Sequence, residues 1–363
     1  MRGGEYVLEA IAALFPNAEL FTLLHVPGSI HGPLAELPIH TSALQHMPAA
    51  ARLYRHYLPL MPAFASTLDV RSFDVVVSSS HCVAKGVEKA PNAVHVSYVH
   101  APMRYMWDRF DDYFGPRSSL PVRLAAQACR PFLQSWDKRV SQAERVDTLI
   151  ANSRFIAGQL ERNYGRQAEV IYPFVDVERF TGPRSPSDHY LMVGAFAPNK
   201  RVDLAIEAFN RLKLPLKIVG KGQEEARLRS LAGPTIEFLG ALSNARIAEL
   251  YSSARAFIFP GIEDFGITPL EAMASGCPVV AYAEGGALET VRDGITGLHF
   301  REQTPEALMG CIKRLESGDV HFDEAQIRSH AAQFSKARFQ RELMSSVVLT
   351  CERAHRSDLL VST

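Results

Sequence analysis

The stretch "HYLMVGAFAPNKRVDLAIEAFNRLKLPLKIVG", residues 189–220, decides the fold. Its apolar run at 189–196 suits a buried strand, residues 201–212 place apolar side chains at helical spacing, and 215–220 reads as a strand again. Moving outward, the alternation continues through a polar helix at 224–231 and "TIEFLG" at 235–240. A helix follows at 243–254, opened by Ser243 or Asn244 as cap, then "RAFIFP", a helix after Thr268, "PVVAY", "ALETVRDG" and "TGLHF". Strands separated by helices of roughly ten residues form a parallel sheet covered on both faces. In such sheets ligands bind beyond the carboxyl ends of the strands.

The first half alternates less regularly. "ELFTLLH" (19–25), "DVVVSSS" (74–80), "AVHVSYVH" (93–100), "TLIANS" (148–153) and "AEVIYPFVD" (168–176) read as strands, and the Pro, Ser and Gly-rich segment 179–188 reads as a linker. A late helix spans 335–348. The chain opens on "RGGE", a Gly-rich turn that should follow a strand. Either the reading frame starts late, or the first domain manages without its leading strand.

At 363 residues the chain exceeds what one hydrophobic core usually supports, so two domains are expected. Formal net charge is zero, which removes any case for general nucleic-acid affinity. Five cysteines are scattered without a C-x-x-C pair, which disfavours a disulfide framework or structural zinc and fits a reducing compartment. No apolar run approaches the roughly 18–20 residues that cross a bilayer, and the start does not read as a signal peptide. A cytoplasmic protein is expected.

The segment "EDFGITPLEAMASGCPVV", residues 263–280, raises a chemical question. Thr268-Pro269-Leu270-Glu271 has the pattern of a capping box, with Thr268 as N-cap and Glu271 returning to its N–H. Capping explains Glu271 but not Glu263, which lies on the preceding loop. Gly266, without a Cβ, admits close approach of a ligand to the backbone. Ionised carboxylates accept hydrogen bonds, so their partners on a ligand are hydroxyls, whereas helix N–H groups suit phosphate. A nucleotide sugar carries both.

Residues 263–297, with their E-x7-E pattern at Glu263 and Glu271, resemble the donor-site signature of family-4 retaining glycosyltransferases of the GT-B fold. "GAFAPNKRVDLAIEAF" is similar to that family's phosphate-binding segment, "SYVHAPMRYMWD" to its first-domain histidine segment, and "IANSRFIAGQLERNYGRQAEVIYPFVD" to its interdomain region. The nearest likeness is to bacterial mannosyltransferases of O-antigen, capsule or exopolysaccharide synthesis. The resemblance implies an α/β protein of two Rossmann-like parallel-sheet domains facing a deep cleft. Residues 1–182 would form the acceptor-side domain and 183–334 the nucleotide-sugar domain, with the helix in 335–363 crossing back to the first.

The resemblance also implies roles. Glu271 would bind the ribose hydroxyls and Glu263 those of the transferred sugar, with Gly266, Ile267 and Thr268 near the sugar and diphosphate. Lys200 would balance the charge of the departing diphosphate. His100, ending a strand, would contact the donor sugar near the reaction centre. The bland alternatives are a solvated loop lysine and a structural histidine. Many members carry Gly-Arg where this chain has Gly194-Ala195, so a phosphate ligand is missing, and Arg201 is the available substitute. Gly3, Gly4 and Glu5 suit a loop where acceptor and donor meet. Arg104, Tyr105, Trp107 and Asp108 either contact an acceptor or pack the wall.

The sequence holds no H-E-x-x-H or cysteine cluster, and "FDDYF" at 110–114 reads as a solvated surface, so no metal and no cofactor are expected. The donor substrate is a nucleotide sugar, GDP-mannose by resemblance, and the acceptor a glycan or lipid-linked glycan. Residues 101–140 hold seven basic and four acidic side chains among many aromatics. Such a region either rests on an anionic inner leaflet as a peripheral membrane contact or forms a helical wall. Competing readings are a nucleotide-sugar-binding protein without turnover, a GT-B sugar-nucleotide 2-epimerase, and a dehydrogenase, the last disfavoured because "VGAFAPN" lacks G-x-G-x-x-G.

Overall fold

The computed structural model describes residues 3–30, 32–115 and 118–354. The chain divides into two compact units. One runs to Tyr172 and takes in the chain from Phe339, and the other is Pro173–Arg338. Both are built on parallel sheets.

In the first unit, β1 (Leu20–Thr22) pairs with β2 (Ile39–Thr41), apart from a four-stranded sheet. That sheet orders β3 (Val75–Ser80), β4 (Val94–Val99), β5 (Thr148–Ala151) and β6 (Glu169–Val170). Every residue of β4 is buried, as befits a central strand, and its polar members His95, Ser97 and Tyr98 are hydrogen-bonded. The β3–β4 ladder runs in register from Val75↔Val94 to Ser80↔Val99, and the His100 N–H extends it by bonding Ser80 O at 2.8 Å. Packed around it, Leu133, Trp136 and Val140 of the helix Leu120–Val140 bury against Met61, Val83, Met103 and Met106.

The second unit carries a six-stranded sheet of β7 (Tyr190–Val193), β8 (Leu216–Val219), β9 (Ile236–Gly240), β10 (Phe257–Phe259), β11 (Val279–Tyr282) and β12 (Gly297–Phe300). Its order is β12-β11-β10-β7-β8-β9, all parallel. The helix Val202–Leu212 buries Leu204, Ala205, Ile206, Ala208 and Phe209 into the core, the face expected from its apolar spacing. The chain builds outward from β7 through β8 to β9, then returns to the other side of β7 as β10. The junction of β7 and β10 is therefore a topological switch point, where the loops on the carboxyl side diverge and leave room for a ligand.

Three expectations need correction. The boundary falls at Tyr172/Pro173 rather than 182/183, because the apparent linker is tied into the second unit. Ser185 and Ser187 N–H groups bond Ser252 O and Ser253 O at 3.1 and 2.8 Å, and Arg328 holds Phe180 O and Gly182 O at 2.8 and 2.9 Å. The second boundary falls within the helix Lys336–Arg353, which passes from one unit into the other at Arg338/Phe339 rather than at 334/335. Gly3 and Gly4 are not in a loop. They open the helix Gly3–Ala12, whose buried face of Val7, Ala10 and Ile11 propagates the helix back through both glycines. Among the described residues none of the helices is long and apolar enough to cross a membrane.

Candidate active site

The loops after β7 and β10 meet at the switch point. The β7 loop ends in the turn Pro198–Lys200 and in Arg201, which takes a left-handed conformation (φ 49°) before the helix begins. The β10 loop crosses it at Gly261. A Cβ there would lie 2.4 Å from Asn199 O and 2.7 Å from the Lys200 Cα, so only glycine permits the crossing. The closeness sets Lys200 beside Glu263, and their side chains form a partly buried ion pair. The Glu263 carbonyl accepts the Gly286 N–H at 2.9 Å, which braces it from the loop after β11.

Arg201 has its own partners. Its Nη1 donates to Gln303 Oε1 at 2.8 Å and its Nε to Asp203 Oδ1 at 3.3 Å, while Gln303 Nε2 reaches back to Pro260 O at 2.9 Å. Gln303 thus links the segments after β7, β10 and β12. Ala195 lines a small cavity with Gly194, Lys200 and Gly261.

The helix after β10 spans Ile267–Ala274, with Gly266 as its N-cap at φ 91° and no side-chain cap. The capping box is therefore overturned, since Thr268 lies inside the first turn. Positive φ at Gly266 starts the helix early, and Glu271 turns instead toward Tyr251, whose hydroxyl donates to its Oε2 at 3.2 Å. A Cβ on Gly266 would also sit 3.2 Å from the Phe259 ring, so the glycine serves the turn as well as any ligand. Burial raises the Glu271 pKa, opposed by the Arg179 charge and the Tyr251 hydrogen bond. The uncapped first turn, comprising Ile267 and Thr268, offers backbone N–H groups between Glu263 and Glu271 in the chain.

The remaining expected residues lie in the first unit. His100 follows β4, and its Nε2 is 2.8 Å from Ser79 Oγ. Its ring packs edge-on to Tyr98 and His81, with centroids 5.2 and 6.3 Å away. A Cβ on Gly4 would be 3.8 Å from that ring, so the start of the helix Gly3–Ala12 adjoins His100. Burial, with the neighbouring His81 and Arg104 charges, pushes the His100 pKa down to about 3 and keeps the imidazole neutral at physiological pH. The Asp111 and Asp112 pair is exposed on the short helix Phe110–Phe114. Among the described residues no group of three or more His, Cys, Asp or Glu is placed to hold a metal.

Three supporting residues escaped the sequence reading. Tyr251 looked like one more apolar position on its helix, Gln303 lies in an irregular loop, and Ser79 is the middle of three serines. Nothing in their spacing marks them, because each acts through a partner distant in sequence.

Comparison with known proteins matches residues 3–179 to Glycosyltransferase Family 4 and residues 177–336 to Glycosyl transferases group 1. The structure of Anabaena HepE in complex with UDP-glucose superposes with a TM-score of 0.67 at 17% identity, covering 96% of each chain. The chain has the GT-B fold. A D-inositol 3-phosphate glycosyltransferase of Geodermatophilus obscurus is 32% identical over 241 residues, 57% of this chain and 53% of that one. A GDP-mannose-dependent alpha-mannosyltransferase of Mycolicibacterium smegmatis is 41% identical over 196 residues, 54% of this chain and 45% of its own length. The GT-B chain thus aligns with about half the length of these relatives. In this GT-B chain Lys200 and Glu263 pair within the second unit, which also carries Glu271, and His100 and Gly4 adjoin within the first.

Proposed function

We propose that the chain is a retaining glycosyltransferase that moves a hexose, mannose from GDP-mannose, onto a glycan or lipid-linked glycan acceptor. The observation that carries this reading is the Lys200–Glu263 ion pair where the loops after β7 and β10 cross, followed along the same β10 segment by the uncapped helix start at Gly266 and by Glu271. Amides and Lys200 suit the diphosphate, and Glu263 and Glu271 suit the hydroxyls of hexose and ribose. The relative named as GDP-mannose-dependent supports mannose as the donor sugar.

Charge grows on the departing diphosphate in the transition state, so a lysine fixed beside it contributes most to the rate there. This placement of charge calls for no divalent cation. His100, held neutral, suits a hydrogen bond to the hexose rather than a charge interaction. Retention would follow attack from the leaving-group face, with the departing phosphate taking the acceptor proton. The second reading, donor binding without turnover, is favoured by Ala195 in place of a phosphate arginine.

Incubation with GDP-mannose, UDP-glucose and ADP-glucose, followed by nucleoside diphosphate release, separates the two. Glu271→Ala should weaken GDP binding by roughly 10- to 100-fold, the scale of hydrogen bonds to a charged group. Lys200→Ala should instead slow turnover by on the order of 100-fold. Variants as active as the parent would remove both assignments.

A further inference from the structure

The first unit contains a buried charge centre that no role assigned so far uses. Lys85 and Asp137 are both 0% exposed, and Lys85 Nζ donates to Asp137 Oδ1 at 2.5 Å. The other carboxylate oxygen accepts from Trp107 Nε1 at 2.8 Å and from the Tyr164 hydroxyl at 2.7 Å. These donors come from separate places. Lys85 belongs to the segment after β3, Trp107 to the segment after β4, and Tyr164 to the end of the helix Arg154–Tyr164 after β5. Lys85 also donates to Cys82 O at 3.2 Å, which ties down its own loop.

The helix that carries Asp137 grips the β4 segment again one and two turns earlier. Arg130 Nε and Gln134 Nε2 both donate to Met106 O at 2.8 Å, and Arg130 Nη2 donates to Trp107 O at 3.1 Å. The two gripped segments follow directly in the chain from Ser79 and His81 and from His100 and Arg104. We propose that Asp137 is a positioning residue: its carboxylate locks the loops after β3 and β4 together, so that Ser79 holds His100 in one orientation. This rests on the transferase reading for its consequence, while its geometry stands apart from it.

A buried ion pair is a weak source of stability, since well-packed apolar residues of similar volume often serve as well or better. What apolar residues cannot do is fix three donors from three segments at set distances and angles. The centre is therefore expected to matter more for loop geometry than for melting temperature.

The test compares the full chain with Lys85→Met/Asp137→Leu, which removes both charges together. Three readouts are taken: thermal midpoint, the ring-nitrogen shifts of His100 in 15N-histidine-labelled protein, and turnover with the active donor beside GDP binding. The double variant, which leaves the Trp107 and Tyr164 donors without their acceptor, should melt modestly below the parent, show altered His100 shifts, and lose on the order of 10- to 100-fold in turnover. GDP binding should be unchanged. If the double variant fails to fold, Trp107→Phe keeps the charge pair and removes one link; it should alter the same shifts and lose about 3- to 10-fold. A folded variant with the parent's His100 shifts would overturn the proposal. The shifts need no turnover, so a parent that releases no diphosphate from any donor would count against the transferase reading alone.

Discussion

Lys200 and Glu263 are bonded to each other, yet the proposed reaction asks each for a different partner. The lysine must turn to phosphate and the glutamate to hydroxyls, so the donor has to exchange one ion pair for two sets of contacts. GDP, which has no hexose, gains only the lysine's half. Glu263→Gln should therefore bind GDP about 2- to 10-fold more tightly, from a partly buried pair worth ~1 kcal/mol, while losing turnover with the nucleotide sugar. Calorimetry with GDP checks this, and weaker GDP binding in the variant would contradict it. Among the histidines, His95 shows what a structural one looks like. Its Nδ1 is 3.0 Å from Arg145 O and its Nε2 2.9 Å from Ser78 Oγ, and burial pushes its pKa down from 6.5 to about 4. The unfolded chain takes up a proton near pH 6.5 while the folded one does not, so acid favours unfolding. Stability should be full above pH 6.5, fall as the pH drops, and level off below about pH 4, a loss of about 3 kcal/mol from this group. His100, held neutral in the same way, acts with the same sign. Denaturant titrations at pH 7 and pH 5 measure the effect, and equal stabilities would rule it out.

The helix Ile267–Ala274 depends on its first residue outside, Gly266, more than on any cap. Gly266→Ala places a Cβ at φ 91° and 3.2 Å from the Phe259 ring, so strain and contact act together. A loss of about 1–3 kcal/mol in stability is expected, with weaker GDP binding because the N–H groups of Ile267 and Thr268 move. Thermal melts with and without GDP check both effects, and an unchanged midpoint would mean that the turn relaxes freely. The capping box was misread because Thr-Pro-x-Glu satisfies local rules, whereas the start of the helix is decided by a backbone conformation one residue earlier. The strands of the second unit were legible because each is a short apolar run bounded by helical spacing. The strand read at 168–176 shrinks to Glu169–Val170 in the structure, since Pro173 cannot donate to a ladder. The linker was misjudged for a related reason. Composition reports the absence of regular structure at 179–188, but hydrogen bonds from Arg328 and to Ser252 and Ser253 decide that it is held.

Sheet order was less legible than strand positions, because order is set by which strands pair and a single sequence does not record pairing. The β7–β10 junction emerged only from the topology, although Lys200, Glu263 and Glu271 stand out by their motifs. The membrane question belongs to this level too. Met103, Met106, Phe110 and Trp136 are buried, so much of the aromatic and sulfur content of 101–140 packs into the core. The remainder does not, for Leu120, Leu124 and Phe132 are 66%, 55% and 57% exposed on the long helix that also carries Arg123, Lys138 and Arg139. Exposed apolar side chains interspersed with cations suit an anionic bilayer surface, where each basic residue adds ~1 kcal/mol and salt weakens the attraction. The protein should sediment with phosphatidylglycerol-containing vesicles at low salt and much less with phosphatidylcholine alone. Leu120→Glu/Leu124→Glu should reduce the bound fraction several-fold without lowering the melting temperature, because both side chains already face solvent. Equal sedimentation with both kinds of vesicle would leave the helix as a wall and nothing more.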